Sequence, residues 1–507
     1  MTTTTTPSIS VLTLDGTTGA DREVLGGKAF SIEQMRELGI PVPQAFVLTT
    51  EVCRRYYADD RQLPADVWAQ IPDAMARLEE TTGRRFGDPR RPLLISVRSG
   101  AATSMPGMMD TILNLGMTDD IERALAEQSG DAAYAADTRR RFLEQFERVT
   151  GVAAPVDPWE QLRQAVVAVL ESWHSTRAIA FRRDRGLSDT GGTAVTVQAM
   201  VFGNLDDASG TGVLFTRNPL SGTPEPYGEW LPRGQGEDVV SGRADALPLD
   251  SLATTMPDVH ADLMLAARRL EGQGRDVQDI EFTVESGRLW LLQTRSAKRT
   301  PEAVVRHAVQ LQNEGLISVE EALERIDVQD VEALRTPHLD PTAVAAEKTV
   351  ASGKPACPGI ASGVVVSDAD EAEERAERGE SVILARPTTD PDDVAAMSVV
   401  AAVLTEFGGS TSHAAVVCRE MGVPCIVGCG PGTVTSLVGK TVTVCATTGA
   451  VYEGQLPIVS TSEREDPDLA QVSDWVRGEA GAEWTGTLSE LLRQRAEARN
   501  RDGRCMS

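Results

Sequence analysis

The stretch TEFGGSTSHAAVVCREMG, residues 405–422, carries the strongest local pattern in the chain. It follows SVVAAVL, residues 398–404, a continuous apolar run of the length that predicts a buried strand. Gly408 and Gly409 break the run, three residues of N-cap type follow, and HAAVVCREM has helical composition. Gly422 is a natural helix C-cap. The stretch therefore predicts a strand–turn–helix unit with His413 in the first turn of the helix.

This position of His413 suits a histidine that carries an anionic group. Free backbone N–H groups and the positive end of the helix dipole favour an anion at a helix N-terminus. The same field disfavours imidazolium and keeps the ring a neutral nucleophile. A phosphoryl carrier needs both effects, although a histidine that merely begins a helix is the alternative from position alone.

The flanking residues decide between these interpretations. GGxTSHAAVV resembles the phosphohistidine segment of the swivelling domain shared by pyruvate phosphate dikinase, phosphoenolpyruvate (PEP) synthase and related PEP-utilising enzymes. The resemblance implies that His413 is the phosphocarrier. Ser410 stands where the dikinases have Met, and Cys418 where they usually have Ala. Neither difference removes a reacting group.

Two segments of the N-terminal region offer groups for a phosphate. In LGGKAF, Lys28 projects from a Gly turn at a predicted helix start, but the GxxxxGK(S/T) spacing of a Walker A loop is absent. A solvated lysine is the alternative. In LLISVRSGAATSMPGMMDTILNLGM, residues 93–97 predict a short strand, Arg98 follows at its end, and the loop 101–109 could close over phosphates with its backbone N–H groups.

The second segment matches the dikinase pattern SVRSGAxxSMPGMMDTxLNLG, whereas PEP synthases differ here. The resemblance is therefore to the phosphate-using dikinase branch, and it places Lys28, Arg98 and Gly107 in a nucleotide site. GTAVTVQAMVFGN, residues 192–204, resembles the dikinase strand that leads into the adenine pocket. By that resemblance Gln198, Met200 and Val201 face the base, with ordinary core packing the alternative for Met200. Arg217 and Glu229 are predicted to contact the residues that line the site rather than the nucleotide itself.

A third segment, DIEFTVESGRLWLLQTRSAKRTPEA, begins at Asp279 and alternates apolar and polar residues. Ser286 and Gly287 predict a hairpin turn, and a three-residue turn would pair Glu281 with Gln293 and Asp279 with Arg295. Carboxylate and amide oxygens suit Mg²⁺, although an exposed charged hairpin has the same alternation.

This hairpin matches the dikinase pattern QDxEFTxExGxLxxLQTRxxKRT. The resemblance implies a Mg²⁺ site at Asp279, Glu281 and Gln293. It also implies an ATP site of ATP-grasp type lined by Lys28, Arg98, Asp279, Glu281, Gln293 and Arg295.

The composition of the chain limits the classes of partner that it can bind. The 507-residue chain is 41% hydrophobic and carries a net charge of −26, which disfavours nucleic acid and anionic membranes. Any phosphate site therefore needs local Lys, Arg or Mg²⁺. The N-terminus lacks a signal-peptide pattern, and no apolar run reaches transmembrane length. The seven scattered Cys residues are expected to be reduced core residues of a cytoplasmic protein.

The predicted fold class is α/β. We expect an ATP-grasp-like nucleotide domain over 1–339 with a helical insert at about 119–185, a linker over 340–355, a phosphohistidine swivelling domain over 356–454, and a polar, partly helical tail over 455–507. The dikinases end in a (β/α)₈ barrel that binds pyruvate or PEP and needs about 250 residues. Too few residues follow Gly454 for such a barrel, so a monomer and a separate barrel protein are expected.

The resemblance implies a mechanism. His413 attacks the β-phosphate of Mg²⁺-ATP, AMP leaves, and a pyrophosphoryl-histidine forms. Inorganic phosphate then removes the terminal phosphoryl group as pyrophosphate and leaves phospho-His413. Three acceptor hypotheses stay open: pyruvate on a separate barrel protein, a different small molecule phosphorylated directly, or no acceptor because the chain is a non-catalytic nucleotide-binding remnant.

Overall fold

A computed structural model describes residues 10–103, 105, 107–235, 246–334, 338–339, 343–344, 347–459, 466–480 and 486–504. The chain is mixed α/β, as predicted. It divides into two compact units. The first comprises Met1–Thr211, Pro232–Gly234 and Glu281–Arg295, and the second comprises Gly212–Leu231, Gln235–Ile280 and Ser296–Ser507.

The secondary-structure elements are numbered in chain order. The strands are β1 Val11–Thr13, β2 Ala45–Leu48, β3 Arg85–Phe86, β4 Pro92–Leu93, β5 Ile95–Gly100, β6 Thr111–Leu115, β7 Ala194–Ala199, β8 Gly210–Phe215, β9 Tyr227–Pro232, β10 Leu247–Pro248, β11 Gln278–Glu285, β12 Arg288–Ser296, β13 His338–Leu339, β14 Thr349–Ser352, β15 Lys354–Cys357, β16 Ile360–Val366, β17 Val382–Arg386, β18 Ala402–Thr405, β19 Cys425–Val427, β20 Thr441–Cys445, β21 Ala450–Glu453 and β22 Ile458–Val459. The α-helices are α1 Arg22–Glu37, α2 Thr50–Ala58, α3 Ala65–Trp68, α4 Ile71–Thr82, α5 Asp119–Ser129, α6 Ala132–Thr150, α7 Pro158–Ser172, α8 Thr176–Asp184, α9 Asp250–Thr255, α10 Pro257–Gly274, α11 Pro301–Asn313, α12 Val319–Arg325, α13 Val328–Leu334, α14 Ala369–Glu377, α15 Val394–Val399, α16 His413–Met421, α17 Pro467–Ala480 and α18 Leu488–Arg504.

A five-stranded sheet of order β1-β2-β7-β5-β6 organises the first unit. Its core includes Val97, Val195 and Val197, all fully buried. β5 is longer than predicted and runs through Arg98 to Gly100, because its ladder with β7 continues beyond the apolar run to the pair Gly100 and Ala194. Arg98 therefore lies on the strand rather than after it.

The predicted metal hairpin is formed by β11 and β12, which are neighbours in a second sheet of order β10-β9-β8-β11-β12. The predicted turn at Ser286 and Gly287 is present, but its predicted length of three residues is wrong. Only Ser286 (φ 50°) and Gly287 (φ 76°) separate the strands, and positive φ at both positions is typical of a two-residue hairpin. At the open end of the hairpin, the Ala297 N–H donates to the Val277 carbonyl at 2.8 Å. This contact has the same register as the predicted pair of Asp279 and Arg295.

The second unit contains an eight-stranded sheet of order β14-β21-β20-β16-β17-β18-β19-β15. Strands β16 to β19 are parallel neighbours, and the segment with His413 follows the carboxyl end of β18. β18 begins at Ala402 rather than Ser398, because Ser398 and Val399 belong to α15. The predicted helix is present from its N-cap Ser412 to its C-cap Gly422.

The C-terminal segment is more ordered than a polar tail. Besides α18, which was predicted in part, it forms α17, and both helices bury apolar side chains in one cluster with α11, α12 and α13. Leu469, Val472 and Val476 recur at helical spacing and are at most 3% exposed. β14 lies inside the predicted linker and pairs with β21.

Two further expectations concern the whole chain. Six of the seven cysteines are free and buried, as predicted, and Cys505 lies outside the described residues. Within the described part of the chain, no helix has both the length and the apolar content needed to cross a membrane.

Candidate functional site

Lys28 is fixed against the end of β5 in the first unit. Its ammonium group donates to the Ser99 carbonyl at 2.6 Å, and the Gly27 N–H donates to the Ala101 carbonyl at 2.8 Å. Gly26 makes this approach possible, because its φ is 70° and a Cβ there would lie 1.9 Å from the Gly100 carbonyl oxygen. The predicted Gly turn thus sets the position of Lys28.

Arg98 joins the hairpin to this group. Its Nη2 donates to Gln293 Oε1 at 3.2 Å and lies 3.8 Å from Glu281 Oε2. The side chains of Arg98 and Glu281 are 15% and 26% exposed, so an incoming ligand can still reach them. Two residues nearly two hundred positions apart in sequence are therefore in contact. We call Lys28, Arg98, Glu281, Gln293 and the neighbouring Arg295 the basic cluster.

The electrostatics of the basic cluster favour a polyanion. The pKa of Lys28 is lowered to about 7, chiefly by burial and next by the positive charge of Arg98. The carboxylate of Glu281 acts in the opposite direction, and Arg295 lowers the Lys28 pKa again. Burial also lowers the pKa of Arg98. Cations outnumber carboxylates in this largely buried cluster. An added anion therefore relieves the repulsion between the cations.

The nucleotide-facing residues predicted on β7 divide into two sets. Met200 and Val201 line a cavity of about 510 Å³ in the first unit. Gln198 is not among its lining residues. It is 3% exposed, and its amide donates to the Pro43 carbonyl at 3.3 Å. Gly107 lies between β5 and β6, is itself exposed, and has a φ of 70°.

The register of β5 and β7 relates the cavity to the basic cluster. Arg98 pairs with Thr196 and Ile95 with Ala199, and the Met200 N–H donates to the Leu94 carbonyl at 2.9 Å. Alternation then places Arg98 and Met200 on the same sheet face, four positions apart along β5, or about 13 Å.

Several groups were not identified from the sequence. Trp290 and Arg288 line the cavity with Met200, and the Arg288 guanidinium lies 4.0 Å from the centre of the Trp290 ring. Trp290 stands between the buried Leu289 and Leu291. Strand alternation could therefore have placed it on the opposite face of β12 from these two residues.

The loop after β5 is tied down by two arginines that sequence reasoning also missed. Arg22 Nε donates to the Ala102 carbonyl at 2.9 Å, and Arg177 Nε donates to the Met108 carbonyl at 3.2 Å. Arg177 also forms an ion pair with Asp110. Both ends of the predicted phosphate loop are therefore anchored.

The predicted metal ligands fit Mg²⁺ in part. Glu281 and Gln293 both present an oxygen to the Arg98 guanidinium. Asp279 belongs to the second unit and is 4% exposed. Burial lowers the pKa of Arg419, and the negative charge of Asp279 opposes that effect. Among the described residues no group of three or more His, Cys, Asp and Glu side chains could hold a metal ion. A nucleotide-bound Mg²⁺ needs only one or two protein oxygens, because phosphates and waters supply the rest.

His413 is the first residue of α16, as predicted. Burial lowers the pKa of its imidazole, whereas the nearby carboxylates of Asp390 and Asp393 act to raise it. The ring is therefore neutral at pH 7, as expected for a nucleophile, and burial is the main cause. His413 Nε2 is buried and has no hydrogen-bond partner among the described residues.

Glu229 touches the segment before His413. A Cβ at Gly409 would lie 2.2 Å from Glu229 Oε2, and Lys354 Nζ lies 3.3 Å from Glu229 Oε1. Arg217, the other predicted supporting residue, pairs instead with Glu271 at 2.8 Å and Glu314 at 2.6 Å.

Comparison with known proteins gives two domain matches. Residues 59–247 match the family model of the pyruvate phosphate dikinase AMP/ATP-binding domain, and residues 378–449 match that of the PEP-utilising enzyme mobile domain.

Three relatives are informative. The pyruvate, phosphate dikinase of Rhizobium meliloti (strain 1021) is 39% identical over 90% of this chain and 58% of its own length. That of Clostridium symbiosum is 40% identical over 86% of this chain and 57% of its own, and pyruvate, phosphate dikinase 2 of Zea mays is 42% identical over 80% and 51%. The chain thus spans little more than half the length of these relatives. Over that span it belongs to the pyruvate phosphate dikinase family of PEP-utilising enzymes.

Proposed function

We propose that this chain is an ATP-dependent phosphotransferase of the pyruvate phosphate dikinase type, which forms AMP and phospho-His413 and uses inorganic phosphate as second acceptor. The observation that carries the proposal is the convergence of Lys28, Arg98, Glu281 and Gln293. Such a concentration of positive charge in a chain of net charge −26 calls for a specific anionic ligand.

The nucleotide would lie along one face of the first unit. Its triphosphate would meet the basic cluster, and its base would occupy the cavity beside Met200, Val201 and Trp290. The spacing of about 13 Å between Arg98 and Met200 suits an extended nucleotide. The low pKa of Lys28 supports this assignment, since a bound phosphate would restore its positive charge.

Magnesium completes the proposed site. Glu281 and Gln293 would hold it, with Asp279 as a third candidate oxygen ligand. When bound, Mg²⁺ neutralises the negative charge of the nucleotide phosphates. The protein's own contribution is to position the phosphates with Lys28, Arg98 and Arg295, which stabilise the charge that develops during transfer.

His413 would then act as nucleophile. Its neutral imidazole nitrogen attacks the β-phosphorus of ATP, the bond from that phosphorus to the bridging oxygen of AMP breaks, and AMP leaves with the electron pair. Inorganic phosphate next attacks the terminal phosphorus of the pyrophosphoryl-histidine. Pyrophosphate leaves, and phospho-His413 remains.

The phosphoryl group must finally leave His413. We propose that the predicted domain over 356–454 swings to an acceptor site and that the acceptor is pyruvate, bound by a separate barrel protein, which yields PEP. The names of the relatives support pyruvate as the acceptor. The buried, free cysteines support a reducing, cytoplasmic compartment.

The test uses ATP labelled at the β-phosphate, with AMP release and acid-labile protein label as readouts. We expect wild type to release AMP and to become labelled, and pyrophosphate to form only when phosphate is added. His413→Ala should remain unlabelled, whereas the matched control His260→Ala, on α10, should behave as wild type. ADP as product, or nucleotide consumption without label, would contradict the proposal. Label lost to an added small molecule without any barrel protein would favour direct phosphorylation of that acceptor.

A further inference from the structure

Arg419 is an unusual residue to find on the helix that carries His413. It lies in the last turn of α16 and is only 3% exposed. Its Nη1 donates to the Ser410 carbonyl at 2.8 Å and to the Ala356 carbonyl at 3.2 Å. Within the described residues, Nε and Nη2 have no hydrogen-bond partner. A buried guanidinium with so few bonds is costly unless another interaction compensates for its desolvation.

That interaction comes from the second sheet. The Arg419 guanidinium lies 5.7 Å from the centre of the Phe215 ring, and the Phe215 and Tyr227 rings are 6.4 Å apart. The Thr216 N–H donates to the Gln278 carbonyl at 2.9 Å, so Phe215 and Asp279 are close neighbours across β8 and β11. All of these residues belong to the second unit. We call Phe215, Tyr227 and Asp279 the Phe215 face.

The Phe215 face offers what a buried cation needs. An aromatic ring attracts a guanidinium through its quadrupole, and Asp279 supplies negative charge. Burial lowers the pKa of Arg419, and Asp279 is the strongest influence in the opposite direction. If Arg419 served only to tie Ser410 to Ala356, neutral donors could make the same bonds without burying a charge.

We propose that Arg419 is a positioning residue, which fixes the helix bearing His413 on the Phe215 face and thereby sets the orientation in which the imidazole is presented for phosphoryl transfer. The inference rests on the proposed function. It assigns a role to Arg419 beyond the folding of its own domain, and it links that role to β11, the strand that also carries Glu281.

A double-mutant cycle tests the proposal. Arg419→Met and Phe215→Leu, singly and together, are compared for the rate of His413 labelling from β-labelled ATP. We expect each single variant to lose about tenfold and the double variant to lose little more, because both changes break one interaction. Arg419→Lys, which keeps the charge, should recover part of the loss. Additive losses in the double variant would overturn the proposal.

Two measurements separate positioning from folding and from binding. Binding of a non-hydrolysable ATP analogue should be unchanged in Arg419→Met and Phe215→Leu, since the basic cluster is intact. Amide hydrogen exchange over residues 413–421, measured without nucleotide, should accelerate in Phe215→Leu, although every bond of Arg419 to Ser410 and Ala356 is retained. Unchanged exchange there would contradict the proposal even if the wild-type protein proved not to be labelled by ATP.

Glu420→Gln is the matched control. Glu420 is the next residue on α16, and its carboxylate lies 3.3 Å from the partly exposed Lys298. Such exposed pairs contribute little. We expect less than a twofold change in labelling and no change in exchange over 413–421. An effect as large as that of Arg419→Met would show that any contact of this helix suffices, which would overturn the specific role of Arg419.

Discussion

The basic cluster and the segment around His413 differ in whether their functional groups already have partners. In the cluster, Arg98 is paired with Glu281 and Lys28 is bonded to the Ser99 carbonyl before any ligand binds. At His413, burial leaves Nε2 without a partner among the described residues. A site that binds a polyanion needs charge arranged in advance, whereas a nucleophile needs a neutral nitrogen with its lone pair free. The basic cluster is therefore suited to bind the phosphates, and His413 is suited to accept a phosphoryl group.

The largest expected effect comes from removing the Arg98 guanidinium, which contacts both Gln293 and Glu281 in the basic cluster. Arg98→Met deletes the bond to Gln293 and the charge beside Glu281, and we expect labelling of His413 to fall about 100-fold or more. Arg98→Lys keeps the charge but loses the planar geometry, so it should recover only part of the rate. Arg90→Met is the control, because the Arg90 side chain is 85% exposed and pairs with the neighbouring Asp88. Equal rates in Arg98→Met and Arg90→Met would remove Arg98 from the site.

A glycine pair tests whether the backbone positions Lys28. Gly26→Ala and Gly39→Ala both force a side chain onto φ near 70°, but only at Gly26 does the new Cβ meet backbone. We expect Gly39→Ala to lose about 1 kcal/mol of stability and to keep full ATP affinity. Gly26→Ala should lose more stability and weaken ATP binding about tenfold or more, because Lys28 must move. The measurements are thermal unfolding and calorimetric titration, and unchanged affinity in Gly26→Ala would argue against this role of the turn.

The pH dependence sharpens the contrast between Lys28 and His413. Lys28 has a pKa of about 7 in the free protein, and a bound polyphosphate should raise it. Nucleotide binding above pH 7 should therefore take up a proton, and affinity should decrease as pH rises. Calorimetry in two buffers of different ionisation enthalpy measures this uptake, which Lys28→Met should abolish. Binding without proton uptake at pH 8 would contradict the assignment.

Folding should show the corresponding linkage for Lys28. Between pH 7 and the usual lysine pKa of 10.5, the unfolded chain holds a proton that the folded chain lacks, so this residue's contribution to stability rises with pH across that window. His413, whose pKa is lowered, stays neutral at pH 7, so its labelling should decline only in acid.

The smallest expected effect concerns the base end of the site. Trp290→Phe keeps an aromatic ring in the cavity but removes the indole N–H, which has no partner among the described residues. We expect ATP affinity to fall a few-fold, with the maximal labelling rate unchanged. Phe142→Leu, deep in the core, is a control for general loss of packing and should affect stability instead. An unchanged affinity in Trp290→Phe would place the base elsewhere.

The sequence was most informative where a local pattern coincided with a chemical requirement. His413 at a helix start and Lys28 after a Gly turn could be placed from spacing alone, and the resemblance predicted that Arg98, Glu281 and Gln293 converge. The alternation of apolar and polar residues from Asp279 onward agrees with the burial of Ile280, Phe282 and Val284.

The errors arose where distant pairing decides the structure. Local patterns could not show that β7 extends the ladder of β5 through Arg98, nor that the hairpin closes in two residues. The amphipathic spacing of Leu469 and Val472 was hidden by the polar composition around them. The position of Asp279 beside Arg419 depends on tertiary packing that no spacing rule encodes.

The most direct test of the central claim is a single-turnover experiment. Protein in excess over β-labelled ATP, with Mg²⁺ and phosphate, is quenched in alkali and digested, and the labelled peptide is identified by mass spectrometry. We expect one AMP formed for each phosphoryl group recovered, with that group on the imidazole of His413. Formation of ADP, or AMP formation with the peptide that contains His413 unmodified, would contradict it.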